Sequence, residues 1–141
     1  MSGVGIRQSG KGKPLDGRSA TVAIIDDNPS MLRSIRRLLN AAGFSVETFP
    51  SAEAFLDEDG CNRAACVVLD IHLPGMSGFD LRRHLTEAAS GLPVIFITAI
   101  NDEDLRGAAN LLGCVAYLNK PFAPEALVAA VAGVLDSRQP D

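Results

Sequence analysis

Asp26 and Asp27 follow the apolar run VAII, Asp70 follows CVVL, Thr98 ends VIFI, and Lys120 follows YLN. Each polar residue stands where a buried strand would stop. Two adjacent carboxylates repel each other unless positive charge sits beside them, and a hard cation supplies that charge. Magnesium takes oxygen ligands in near-octahedral geometry at about 2.0–2.1 Å, commonly one or two carboxylates with waters and phosphate oxygens. Asp70 adds a third acid and a second kind of chemistry, because a carboxylate can accept a phosphoryl group to form an acyl phosphate. Lys120 can pair with a carboxylate before such a transfer and with a phosphoryl oxygen after it, while the Thr98 hydroxyl can donate to another oxygen. Asp70 is the best nucleophile candidate, with turns at Gly75 and Gly78 leaving its oxygen open to a donor. An Asp-Asp pair before a helix is, by itself, ordinary helix-end chemistry; the matching positions of Asp70, Thr98 and Lys120 favour a metal and phosphoryl site instead.

The elements that must position these residues are legible from Thr21 onward. Short apolar runs alternate with segments of helical period, the signature of βαβ units and a parallel sheet. TVAII, FSVETF, ACVVL, LPVIFIT and VAYL read as five strands. Pro29 suits a first helical position with Asn28 as cap, Met31, Leu32, Ile35, Leu38 and Leu39 recur at helical spacing, and Gly43 closes that helix. Ser51 opens a second, short helix. DEDGCNR reads as a polar loop, FDLRRHL as a third helix facing the core through Phe79, Leu81 and Leu85, and Asp102 to Leu112 as a fourth with Leu105, Ala108, Leu111 and Leu112 inward. Pro124 starts a fifth, bearing Leu127, Val128, Val131 and Leu135. Right-handed crossovers place helices on both faces of the sheet and the loops after strands one, three, four and five along one edge. The expected fold is therefore a doubly wound α/β sheet of five parallel strands. Lys120-Pro121 is trans in the ordinary case; a cis bond would fix the direction of Lys120.

Composition sets the remaining bounds. The 141 residues fit one domain, and 47% hydrophobic with 21% charged residues excludes wholesale disorder. No apolar run approaches the roughly 20 residues of a membrane span, and the N-terminus lacks the apolar stretch of a secretory signal, so a cytoplasmic location is expected. Cys61, Cys66 and Cys114 form neither a CxxC pair nor a zinc-spaced cluster and read as reduced thiols. Residues 1–19 carry +3 of the net −4, leaving −7 for the rest; such an acidic body has no general electrostatic reason to bind nucleic acid. Those 19 residues, rich in Gly, Ser and Lys, read as a flexible tail. Within them GIRQSGKG approaches the phosphate-loop pattern but lacks both the preceding strand and the hydroxyl after Lys11.

The strings IIDDNPS, VVLDIHLPGMSGFDL, PVIFITA and AYLNKPF, in this order and spacing, resemble a receiver domain of the bacterial response-regulator family, over about residues 20–136 with a short tail at 137–141. The resemblance implies a flavodoxin-like sheet of strand order 2-1-3-4-5. It implies that Asp70 is phosphorylated by a sensor histidine kinase or phosphotransfer protein, and that Mg2+ is held by Asp26, Asp27, Asp70 and the backbone carbonyl of His72. It makes Thr98 and Tyr117 switch positions and Lys120 the salt-bridging lysine. Thr98 moving toward the new oxygens would let Tyr117 rotate inward and alter the face formed by the fourth helix, fifth strand and last helix, and so the binding of a downstream protein target. His72 and Ile100 line the path of attacking water in this family and bear on phosphate lifetime.

A Mg2+-dependent aspartyl phosphohydrolase of the haloacid-dehalogenase type would use similar residues, but resembles a DxD motif on the first strand, whereas here the acidic pair comes first and Ile71-His72 follows Asp70. A flavodoxin-type carrier shares the layers, yet Asp26-Asp27 would repel its cofactor phosphate. The expectation is thus a phosphorylation-dependent signalling switch that makes no direct nucleic-acid or membrane contact, dimerises on phosphorylation in one version, and is not an enzyme with an external substrate. A stand-alone receiver and the receiver of a longer DNA-binding regulator both fit the chain.

Overall fold

Runs that are apolar at every position are the mark of parallel strands covered on both sides, and five strands here pair in parallel. The computed structural model describes residues 21–88, 90–100 and 102–138. The expected tail at 1–19 lies outside them, as do residues 139–141. In chain order the elements are β1 (Thr21–Ile25), α1 (Pro29–Ala41), β2 (Ser45–Phe49), α2 (Ala52–Asp57), α3 (Gly60–Arg63), β3 (Cys66–Asp70), α4 (Gly78–Glu87), β4 (Val94–Thr98), α5 (Glu103–Leu112), β5 (Ala116–Asn119) and α6 (Pro124–Arg138). The sheet order is β2-β1-β3-β4-β5, as the resemblance implies. The central strands β1, β3 and β4 are buried at every residue, while the edge strands β2 and β5 are mostly half-buried.

Because side chains alternate across a strand, the sheet divides the interior into two cores. Ala23, Ile25, Val67, Leu69 and Phe96 pack with Phe55, Leu81, Leu85 and Ala109, so α2, α4 and α5 cover one face. Val22, Ile24, Val68, Ile95 and Ile97 pack with Ile35, Leu39, Leu127 and Val131, so α1 and α6 cover the other. Edge-to-face ring pairs lock the first core, Phe49 on Phe55 and Phe79 on Phe96, both with centroids 5.3 Å apart.

Helix starts follow local chemistry. Asn28 accepts from the backbone N–H of Ser30 at 2.9 Å and Met31 at 3.2 Å, with Pro29 at the first helical position. Ser77 and Asp80 form a reciprocal capping box at α4. Asp102, expected as the first residue of its helix, instead caps it by accepting from Asp104 N at 2.8 Å.

Two expectations need correction. The stretch read as a polar loop contains the one-turn helix α3, giving six helices among the described residues. Asp59 turns into it with φ of 61°, Gly60 is buried against Phe55, and Arg63 reaches Glu47 at 3.0 Å. Polarity hid this turn because only Gly60 and Cys61 contribute to its packing. On α5, Leu111 is 91% exposed rather than inward. The inner face is Leu105, Ala108, Ala109 and Leu112, which obey the i, i+3/i+4, i+7 spacing that Leu111 breaks.

Candidate functional site

Parallel pairing brings the carboxyl ends of β1, β3, β4 and β5 to one edge: Ile25 lies opposite Leu69, Asp70 opposite Ile97, and Thr98 opposite Asn119. The strand order reverses beside β1, and in open sheets of this kind ligands bind in the crevice at that reversal. Asp26, Asp27, Asp70, Thr98 and Lys120 all emerge there.

Lys120 is the hub. Its Nζ lies 2.7 Å from Asp26 Oδ2 and 3.3 Å from Asp70 Oδ2. The opposite oxygen of each carboxylate is held by a backbone N–H two residues on, Asn28 N to Asp26 Oδ1 at 2.9 Å and His72 N to Asp70 Oδ1 at 3.0 Å. The two aspartates thus use the same short turn and present their oxygens to the same ammonium. Asp26 has no exposure and Asp70 is 5% exposed, whereas Asp27 opens to solvent. One carboxylate oxygen from each of the three lies within 4.8 Å of the others.

Burial pushes the Asp70 carboxyl above the usual aspartate range; the His72 N–H opposes this, Asp26 adds to it, and Lys120 opposes it. For Lys120, burial is the largest influence and acts downward, but the hydrogen bond and charge of Asp26, followed by those of Asp70, outweigh it and hold the ammonium above the ordinary lysine value. Three carboxylates against one ammonium, all oxygen donors, make a set that fits a hard divalent cation such as Mg2+. Lys120-Pro121 is a cis bond, and the Lys120 N–H donates to the Thr98 carbonyl at 2.7 Å.

Thr98 is fully buried. Its hydroxyl accepts from Ile100 N at 3.1 Å and lies 3.3 Å from His72 Nδ1. Tyr117, on β5, packs against the first core, with the Arg106 guanidinium 4.5 Å above its ring and its hydroxyl buried without a partner. Burial raises the Tyr117 pKa, with Arg106 acting against it. Ile100 is 45% exposed beside the site.

Three contributors escaped the sequence. Glu53, an acid in the first turn of α2, accepts from Met76 N at 2.7 Å and braces the loop between β3 and α4. Arg106 covers Tyr117, and Asn119 donates to the Ile100 carbonyl at 3.0 Å. Their spacing carried no signal, since each acts across elements. In the braced loop Gly75 takes a φ of +75°, and Gly78 sits where a Cβ would meet the Asp70 carbonyl oxygen and the Ile71 Cα. Both obstacles are backbone, so Gly78→Ala is expected to displace the loop, costing about 1–3 kcal/mol. Chemical denaturation of the variant should show this drop with the transition still cooperative.

The profile of the family described as response regulator receiver domain matches residues 22–132. Response regulator protein TodT of Pseudomonas putida is 35% identical over 118 residues, 84% of this chain and 52% of its own. Transcriptional regulatory protein TdiR of Thauera aromatica is 37% identical over 119 residues, again 84% and 52%. The crystal structure of FixJ-N superposes with a TM-score of 0.78 at 31% identity, covering 88% of this chain and 99% of that one. The chain spans about half the length of these curated relatives. Among the described residues, no helix is long and apolar enough to cross a membrane.

Proposed function

This chain belongs to the response regulator receiver family, and from that membership we propose that it is a phosphorylation-dependent signalling switch whose phosphoryl acceptor is Asp70. The observation that carries the reading is the meeting of Asp26, Asp70 and Lys120 at 2.7 and 3.3 Å from residues 94 and 50 positions apart in the chain. An Asp70 oxygen attacks the phosphorus of a phosphohistidine on a sensor kinase or phosphotransfer protein. The O–P bond forms as the P–N bond breaks, and the departing imidazole takes a proton from solvent. Lys120 exchanges its contact with Asp70 for one with a phosphoryl oxygen. Mg2+, when bound, would be held by Asp26, Asp27, Asp70 and the His72 carbonyl and would offset the charge gathering at the phosphoryl group. Water later attacks the phosphorus, releasing phosphate and restoring the carboxylate, so the only chemistry is the domain's own loading and unloading.

The readout runs through Thr98 and Tyr117. Phosphorylation adds charge, about −1.5 to −2 by analogy with phosphorylated hydroxyl residues, and acceptor oxygens toward which Thr98 turns. An unpartnered buried hydroxyl costs about 1–3 kcal/mol, so Tyr117 rests in a place it can leave for a better one. Its movement changes the face made by α5, β5 and α6, which meets a downstream protein or a second copy of the chain in the cytoplasm.

Intact mass after incubation with acetyl phosphate tests this: a phosphoryl adduct that requires Mg2+ and vanishes with a chelator is expected, and no adduct under either condition would sink the reading. Mg2+ alone is expected to stabilise the fold, by about 2.7 kcal/mol at one hundred times its dissociation constant. The unfolding midpoint should rise with MgCl2 but not with NaCl of equal ionic strength, and Asp27→Ala should blunt the rise. A second reading, the receiver half of a longer transcription regulator, is favoured by the coverage of TdiR, itself a transcriptional regulatory protein; the mass of the native protein on an immunoblot decides between them.

A further inference from the structure

We propose that the His72 side chain is a positioning residue that holds the Thr98 hydroxyl in the resting orientation and so opposes switching. This rests on Asp70 being the phosphoryl acceptor and concerns how readily the switch turns. The Thr98 hydroxyl owns one proton and two lone pairs. The Ile100 N–H occupies a lone pair at 3.1 Å, and His72 Nδ1 stands 3.3 Å away in the loop between β3 and α4. With the proton of a neutral imidazole on Nε2, Nδ1 is the acceptor and takes the one hydrogen that Thr98 has to give. That same hydrogen is what a phosphoryl oxygen on Asp70 must win. Ring hydrogens are a matter of chemical assignment, so the Nε2–H tautomer is part of the proposal.

The arrangement has a direction. Thr98 is fully buried and its backbone is fixed in β4, whereas the His72 ring lies on the exposed rim. When Thr98 turns away, the ring is free to find water, and the loss to His72 is small. At 3.3 Å the contact is long for a hydroxyl donor, which suits a restraint that phosphorylation must overcome. The His72 backbone contributes separately: its N–H holds Asp70 Oδ1 at 3.0 Å. Substitution of the side chain therefore leaves that bond, and the carbonyl proposed for Mg2+, in place.

The test is the affinity for beryllofluoride, a stable mimic of the phosphoryl group, in the presence of Mg2+. His72→Ala is expected to bind it about threefold to tenfold more tightly than the wild type, the change that loss of one ordinary hydrogen bond produces. His72→Asn, whose side-chain oxygen replaces Nδ1, is expected to return to the wild-type value. In a Thr98→Ala background His72→Ala should have no effect. Nitrogen NMR of the resting protein should find Nδ1 unprotonated. Unchanged or weaker binding by His72→Ala, or an equal gain in the Thr98→Ala background, overturns the restraint while leaving Asp70 as acceptor. Failure of the wild type to bind beryllofluoride at all overturns the acceptor reading instead.

Discussion

Asp70→Asn should take up no phosphoryl group from acetyl phosphate at any Mg2+ concentration, and should nevertheless be the more stable protein at neutral pH. Loss of the adduct follows because an amide oxygen cannot form the acyl phosphate, and the other buried carboxylate at this edge, Asp26, is already engaged by Lys120 at 2.7 Å. The gain in stability follows from linkage. The folded-state pKa of Asp70 is raised, first by burial and further by Asp26, so the native state binds its proton more readily than the unfolded chain does. A raised carboxyl contributes stability that is fully present below its unfolded value and is lost as pH rises through the folded one. At pH 7 the wild type has lost that contribution, and the neutral amide removes the penalty. A gain of about 1 kcal/mol would move the unfolding midpoint of a domain this size by about 3–6 °C. Thermal unfolding without Mg2+ should therefore place Asp70→Asn above the wild type at pH 7, with the gap closing as pH falls toward 4. An Asp70→Asn protein that melts below the wild type at pH 7 would mean that the Lys120 contact outweighs burial.

Lys120→Met acts in the opposite sense. It leaves Asp26 fully buried with its Oδ2 stripped of the ammonium at 2.7 Å, and takes from Asp70 its cation as well. Removing one partner of a buried ion pair typically destabilises by about 3–5 kcal/mol, because the remaining charge is left uncompensated. The raised Lys120 pKa carries the same message: its contribution is fully present below the unfolded value of 10.5 and is lost only as pH rises through the folded one. Urea unfolding near neutral pH should show the deficit, Mg2+ should recover part of it, and a second change, Asp26→Asn, should recover it without metal. If Asp26→Asn gives no recovery, lost packing of the lysine stem rather than stranded charge is responsible.

The sheet and the carboxylate–lysine cluster were legible for one reason. A residue that ends an apolar run has an assigned place in a parallel sheet, so Asp26, Asp70, Thr98 and Lys120 could be brought together without coordinates. The rest depends on what lies beside each strand end rather than on it. The contact between His72 and Thr98 needs the spacing between the loop after β3 and the end of β4, which follows from β3–β4 register and not from either sequence string. Glu53 reads as a helix-favouring acid and shows its role only when the loop at Gly75 folds back onto α2. Leu111 was misplaced because an apolar residue one step off the helical stripe looks the same on paper as one on it. The polar run at 57–63 concealed α3, since a single turn offers too few apolar positions for a period to appear.

The division of the interior has a consequence for engineering. Thr98 lies two residues beyond Phe96 on β4 and so continues the side of the sheet that holds Tyr117, α4 and α5. Ile95 and Ile97 look the other way, toward α1 and α6. The sheet is a septum, and Thr98 and Tyr117 lie on one side of it. Added stability can therefore be installed behind the septum, by better filling between α1 and the sheet, without stiffening Thr98 or Tyr117.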